Sequence, residues 1–167
     1  HIHVDYRDVR TKLVNCKENS KHDPGDLFLE WGTLMTEMVR FLVPRDRAIN
    51  RFCAGDFGTR CDYEVAPKIQ DKVGYTGYAA VAVRERTIEF RIWGVTSVPE
   101  ITLARAEFSQ KSVDFLAKFV DTRGKELKKL RKRLRKSLAM LKVGCIDSLR
   151  RLFGLSDHCA SMLAKAL

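Results

Sequence analysis

The sequence predicts an α+β body followed by an α-helical C-terminal appendage, on three observations. Ionisable and apolar residues alternate over residues 1–5 and again over 87–93, the two-residue period of a strand. Apolar residues recur at helical spacing between Leu27 and Leu42. Leucines at 127, 130, 134, 138 and 141 step by three, four, four and three, a heptad-like seam. At 167 residues and 45% hydrophobic content the chain is globular and can bury a sizeable core.

Taken in order, residues 1–5 form the first strand and 6–15 a short helix. A polar loop covers 17–25. Leu27, Trp31, Leu34, Met38 and Leu42 then make the core-facing stripe of a helix that stops before Pro44. Residues 54–75, interrupted by Pro67, carry no strong period and read as loops around a short helix, with a turn at 74–77. Residues 78–83 and 87–93 pair as a hairpin through the charged link Arg84, Glu85 and Arg86. Ser97, Pro99 and Glu100 have the spacing of a capping box with Ser97 as N-cap. The helix that follows should run to about residue 119, its stripe being Ile101, Ala104, Phe108, Phe115, Leu116 and Phe119. Gly124 breaks it and opens the leucine-bearing helix. Residues 145–167 divide at Gly154 into two short helices, the second capped by Ser156. That outline is shared by helix-turn-helix domains, but the last helix has few base-reading side chains, and a structural hairpin is expected. The body is residues 1–121 and the appendage 122–167.

Charge separates the same two sections. The chain carries a net +10; residues 1–121 hold 18 basic and 18 acidic side chains, whereas residues 122–142 hold ten basic residues and only Glu126. The five cysteines, at 16, 53, 61, 145 and 159, include no Cys-x-x-Cys pair. They read as reduced structural thiols in a cytoplasmic protein, and Cys53 has no histidine near it in sequence to activate it. No run approaches the roughly 18 apolar residues needed to cross a bilayer, and no signal peptide is visible.

The candidate chemistry lies on the two alternating segments. His1, His3 and Asp5 share one strand face, and Thr87, Glu89, Arg91 and Trp93 share another. If those faces adjoin, two imidazoles, carboxylate and guanidinium meet on one surface, a set suited to a metal ion and phosphate oxygens. Alone, a His-x-His strand is more often surface or core histidine, and Glu-x-Arg more often a same-face salt bridge. Arg91 offers a planar fork that bridges two phosphate oxygens, which Lys would not. Magnesium prefers oxygen ligands and manganese accepts imidazole more readily, so one or two histidines argue for tolerance of manganese; residue types alone also admit zinc. Asp5 is the weaker metal candidate. His22 and His158 lie in polar contexts and are expected to be exposed.

These segments carry a resemblance. His1, His3 and Asp5, then Leu42, Pro44, Arg45, Arg47, Asn50 and Cys53, then Gly77, Tyr78 and the Glu89 and Arg91 strand are similar in order and spacing to the amidoligase family. That family belongs to the carboxylate–amine ligases of the glutamine synthetase and glutamate–cysteine ligase superfamily, and the likeness runs from residue 1 to about 120. It implies a mainly antiparallel, glutamine-synthetase-like sheet with helices on one face, binding ATP through Mg2+ or Mn2+. It implies a reaction in which a carboxylate is phosphorylated and an amine displaces the phosphate. By motif position it makes His1, His3 and Glu89 metal ligands and Arg91 the phosphate-binding guanidinium. Arg47 either anchors an ATP phosphate or ties a loop to the sheet. Three departures stand against the family pattern. The first strand, with its Glu-x-Glu ligands, should lie upstream of His1, so a fragment of a longer protein, or one completed by a partner chain, is expected. Ala82 stands where an Asn is often found. Gly94, Val95 and Thr96 disturb the usual Gly-Thr.

The basic helix has its own readings. Lys128, Lys129, Arg131, Lys132, Arg133, Arg135 and Lys136 surround the leucine seam. Its leucines pack on the body or a partner helix, leaving a solvated face, or its cations contact nucleic acid or another polyanion. A membrane-surface role lacks the aromatic anchors it would need. The functional expectation is an ATP-dependent amide-forming ligase acting on small amino acids, peptides or proteins. The alternatives are an inactive scaffold of the same fold and a nucleic-acid-binding protein. The leucine seam and the incomplete sheet make association with another chain plausible.

Overall fold

In the computed structural model the described residues are 1–15, 23–48, 57–59, 79–94 and 96–165. The elements run β1 (Ile2–Asp5), α1 (Arg7–Val14), α2 (Pro24–Phe41), α3 (Arg45–Ala48), β2 (Gly58–Thr59), β3 (Val81–Val83), β4 (Thr87–Phe90), α4 (Pro99–Asp121), α5 (Gly124–Lys142), α6 (Asp147–Phe153) and α7 (Asp157–Ala164). The chain is therefore α+β, as its mixed periods imply. The readings for residues 60–78, including the turn at 74–77, and for Cys16, His22, Cys53 and Cys61 lie outside the described residues.

The sheet has strand order β1-β4-β3-β2. β4 is antiparallel to both β1 and β3, and β2 is parallel to β3. Register follows from the apolar side of the alternation. Val4 and Val83 both oppose Ile88, and Ile2 and Val81 both oppose Phe90, so one face collects branched and aromatic side chains. The β3–β4 connection is a tight hairpin closed by Arg84 N–H donating to the Thr87 carbonyl at 2.8 Å. The Tyr6 hydroxyl reaches across to donate to the Arg84 carbonyl at 2.8 Å, tying the end of β1 to that hairpin.

The expected strand over 87–93 is cut short by a bulge. The N–H groups of Arg91 and Ile92 both donate to the Ala80 carbonyl, at 2.9 and 3.3 Å, so two residues oppose one. The extra residue shifts the alternation by one. Trp93, expected on the Glu89 face, is instead buried toward α4, where its indole N–H donates to Ser109 Oγ at 3.0 Å and the Arg105 guanidinium lies 5.6 Å from its ring.

Helix α2 starts on Pro24 with Asp23 as N-cap, its carboxylate accepting from Gly25 N–H at 2.8 Å. Its buried side brings Phe28 and Trp31 against Tyr6 and Phe57, ring centroids 5.4 to 6.2 Å apart. Helix α4 is the central beam. It buries Phe108, Phe115, Leu116 and Phe119, and its buried serines serve the two indoles: Trp31 donates to the Ser112 carbonyl at 3.1 Å, Trp93 to Ser109. The expected capping box does not form. Pro99, with its fixed φ, sets the first turn, so the N-cap is Val98 and Ser97 falls one residue too early; no side chain caps this end. Ser156 does cap α7, accepting from Cys159 N–H at 3.0 Å, and Gly154 takes the left-handed conformation that ends α6.

The five seam leucines of α5 are all buried, and they join the same continuous core as α2, α4 and the sheet. Across α5 and α2 run ion pairs from Arg131 and Arg135 to Glu30, at 2.7 and 3.2 Å, and from Lys142 to Glu37 at 3.4 Å. Helix α7 lies on α4, where Glu107 accepts from Ser156 N–H and Oγ, and the buried Cys159 thiol donates to the Ala104 carbonyl. Burial pushes that thiol up to about 12, which keeps it an unreactive core residue. No helix among the described residues is long and apolar enough to cross a membrane.

Gly32 packs its bare backbone against the Phe57 ring. A Cβ built there would lie 2.3 Å from the Phe57 ring, which is itself hemmed in by Phe28 and Trp31. Gly32→Ala should therefore destabilise the chain by about 1–3 kcal/mol through overpacking, read as a lower urea midpoint at unchanged m-value.

Candidate metal-binding site on the polar face of the sheet

The face of the sheet opposite the core collects the polar half of each alternation. In the β1–β4 register His3 opposes Glu89 and Asp5 opposes Thr87, and across β3 Glu89 opposes Ala82. Pairing thus brings the two sequence segments onto one surface. Glu89 Oε1 lies 2.8 Å from His1 Nδ1 and 3.9 Å from His3 Nε2. One ligand atom from each of His1, His3 and Glu89 falls within 4.8 Å of the others. The second nitrogen of His3, Nδ1, is 3.3 Å from Thr87 Oγ1, an outer contact that steadies the ring.

Glu89 is buried, its side chain 2% exposed, while His1 and His3 are 46% and 49% exposed. The carboxylate is held by a residue of the charged link between β3 and β4. Arg84 donates to Glu89 Oε2 from Nε at 2.8 Å and meets it again through Nη2 at 2.6 Å. Arg84 continues the parity of Ala82 beyond the end of β3, so the same alternation that found Glu89 could have found it. Arg91 Nε sits 3.7 Å from Oε1, on the bulge, with its side chain only 10% exposed. One oxygen of Glu89 is thus committed to Arg84, and the other is turned toward the imidazoles.

The remaining sequence candidates divide. Asp5 does not join the cluster: its carboxylate accepts from Arg7 N–H at 2.9 Å and Arg7 Nε at 2.7 Å, hydrogen bonds that lower its pKa. Arg47 belongs to α3, but its side chain lies outside the described residues. His158 is exposed. Of the basic-helix set, Arg131 and Arg135 are turned onto Glu30 and Lys129 onto Glu126, so these three are engaged by acidic neighbours. Lys128, Lys132, Arg133 and Lys136 are exposed.

Two neutral imidazoles and a carboxylate are a competent donor set for a divalent ion of the manganese or zinc type. Among the described residues Glu89 faces the guanidiniums of both Arg84 and Arg91, so a divalent ion here would share its carboxylate ligand with two cations. No protein-family model, curated protein or solved structure matches the chain.

Removing the carboxylate charge tests how far the site is structural. Glu89→Gln leaves two guanidiniums facing a neutral amide and should cost about 2–3 kcal/mol, below the value for a fully buried pair because Arg84 is 25% exposed. His3→Ala, on a half-exposed ring, should change stability by less than about 0.5 kcal/mol in the same urea titration.

Proposed function

We propose that this chain contributes the metal- and phosphate-binding part of an ATP-dependent carboxylate–amine ligase. The observation that carries the reading is the convergence of His1, His3 and Glu89 on adjacent antiparallel strands with Arg91 beside them. The resemblance to the amidoligases supports it. So does a sheet whose β1, β4 and β3 are antiparallel and whose apolar face packs on helices, as a partial glutamine-synthetase-like sheet would.

In this reading His1, His3 and Glu89 Oε1 hold Mn2+ or Mg2+, the imidazoles favouring Mn2+. The ion, when bound, would neutralise charge on the triphosphate. The chain's own residues do the rest. Arg84 fixes the Glu89 rotamer by taking Oε2, so that Oε1 stays aimed at the histidines. Arg91 is held by the bulge at the inner side of the site, where a guanidinium already desolvated stabilises charge on a transferring phosphoryl group more strongly than one in water. The carboxylate substrate then takes the γ-phosphoryl group as an acyl phosphate, and the amine displaces phosphate to form the amide. Ala82, opposite Glu89, leaves this part of the floor without a polar side chain. An ATP-dependent enzyme whose described cysteines, Cys145 and Cys159, are free thiols fits the cytoplasm.

The test is amine-dependent ADP release from ATP with Mn2+ or Mg2+ and a mixed amino-acid pool, using the full-length protein. His3→Ala, which leaves the fold intact, should lower Mn2+ affinity by about 10–100-fold in calorimetry and reduce ADP release with it. Because metal binding displaces protons from imidazole, Mn2+ affinity should also fall as pH is lowered. Mn2+ binding without any ADP release would leave a metal site and remove the ligase; no Mn2+ binding would remove both and favour an inactive scaffold.

A further inference from the structure

The strongest feature that the sheet site does not use is the outer face of α5. Helical geometry divides the cations of α5 between its α2 flank and its outer faces, with Lys129 held by Glu126. Those flanking the leucine seam on the α2 side are paired with acidic residues, Arg131 and Arg135 sharing Glu30 and Lys142 meeting Glu37. Lys125, Lys128, Lys132, Arg133 and Lys136 are exposed on the remaining faces, and among the described residues no acidic side chain pairs with any of them. From Lys125 to Lys136 the row spans about 16 Å.

The structure adds a cation that the linear pattern did not. Arg151 of α6 joins Arg133 and Lys136 around an open depression of ≈ 380 Å³ whose floor includes Ser137 and Ser148. Ser137 Oγ donates to the Ser148 carbonyl at 3.1 Å, which holds α6 against α5 and fixes the third cation beside the other two. The patch is therefore a two-helix surface with a rigid base.

We infer that this α5–α6 face binds the phosphodiester backbone of double-stranded nucleic acid without reading its sequence. Charge complementarity selects a polyanion: the exposed row Lys125, Lys128, Lys132 and Lys136, continued by Arg133 and Arg151 around the depression, matches regularly spaced phosphates, and each contact would release condensed counterions. Composition narrows the polyanion further. Helix α5 contains no aromatic residue, so it offers neither the stacking platform that holds single strands nor the interfacial anchors that hold a helix on a membrane. It also lacks Asn and Gln, leaving only the cations themselves to face base edges, so phosphate contacts dominate. The inference is independent of the ligase reading, since none of its residues touches the sheet site.

The experiment is fluorescence anisotropy with the full chain and labelled 20-base-pair duplexes of unrelated sequence, DNA and RNA separately, across a KCl series. Four to six phosphate contacts predict a slope of log K against log[KCl] between about −3.6 and −5.4, hence about a 150- to 1,800-fold loss of affinity from 50 to 200 mM. Lys132→Gln/Arg133→Gln/Lys136→Gln, at exposed helix positions that Gln tolerates, should make the slope shallower by about 2.7. Arg131→Gln/Arg135→Gln, which removes cations already held by Glu30, should change it by less than half as much. Similar affinity for unrelated sequences supports the inference, and the DNA and RNA arms show which duplex is taken. No duplex binding at 50 mM KCl, a slope unaltered by the triple substitution, or binding to phosphatidylserine vesicles in place of duplex would overturn it.

Discussion

A carboxylate with a side chain 2% exposed is tolerable only if its surroundings replace water, and the polar face of this sheet is organised around that need. Glu89 is in the middle strand of the antiparallel trio, so neither neighbouring strand can shift without stranding it. A one-residue slip of β1 would turn Val4 toward the carboxylate and His3 toward the core. A slip of β3 would withdraw Arg84, which supplies the closest contact. The buried charge thus reinforces the register that Ile88 and Phe90 set from the other face. Fold and site are specified by the same pairing, one from each side of the sheet.

Small residues make that arrangement sterically feasible. Ala82, fully buried directly opposite Glu89, leaves lateral room for the Arg84 side chain to fold back over the strand. A larger side chain there would occupy that space. Tyr6 completes the clamp from outside by holding the Arg84 carbonyl, and burial raises its own pKa, so its hydroxyl keeps its proton as donor. The bulge at Arg91 and Ile92 then settles a conflict between the two faces: Arg91 remains near Glu89, while Trp93 is released to the helix layer and finds Ser109.

Features governed by short-range periodicity were legible from the residues alone. The β1 face, the β4 face as far as Arg91, the five seam leucines and the Ser156 cap are where spacing puts them, as is the α2 stripe except for the partly buried Leu34. What escaped depends on a second element. Two N–H groups sharing one carbonyl leave no trace in the residues of β4 itself, so the alternation continues in the sequence to Trp93 although the ladder breaks at Arg91 and Ile92. Arg84 looked like a link because its partner is reached only once the hairpin closes. Likewise, nothing within α5 itself distinguishes Arg131 and Arg135 from its other cations; Glu30 on the facing helix does. Ser97 had the right spacing from Glu100 for a cap, yet Pro99 decides the first turn by its own geometry.

The basic helix shows how one amphipathic segment can serve packing and charge at once. Its seam is held by apolar burial, which salt does not weaken, and its α2 flank by partly shielded ion pairs to Glu30 and Glu37. Only the outward cations are fully subject to screening. Repulsion along Lys125, Lys128, Lys132 and Lys136 opposes helix formation at low salt, but the buried leucines outweigh it: five such side chains at about 1.5–3 kcal/mol each exceed like-charge penalties of a few tenths of a kcal/mol per pair. The helix can therefore keep a dense positive face although, among the described residues, its only acidic side chain is Glu126, which meets Lys129. An external polyanion that relieves this repulsion would stabilise α5 in the position it already holds, so binding would require no rearrangement of the core beneath it.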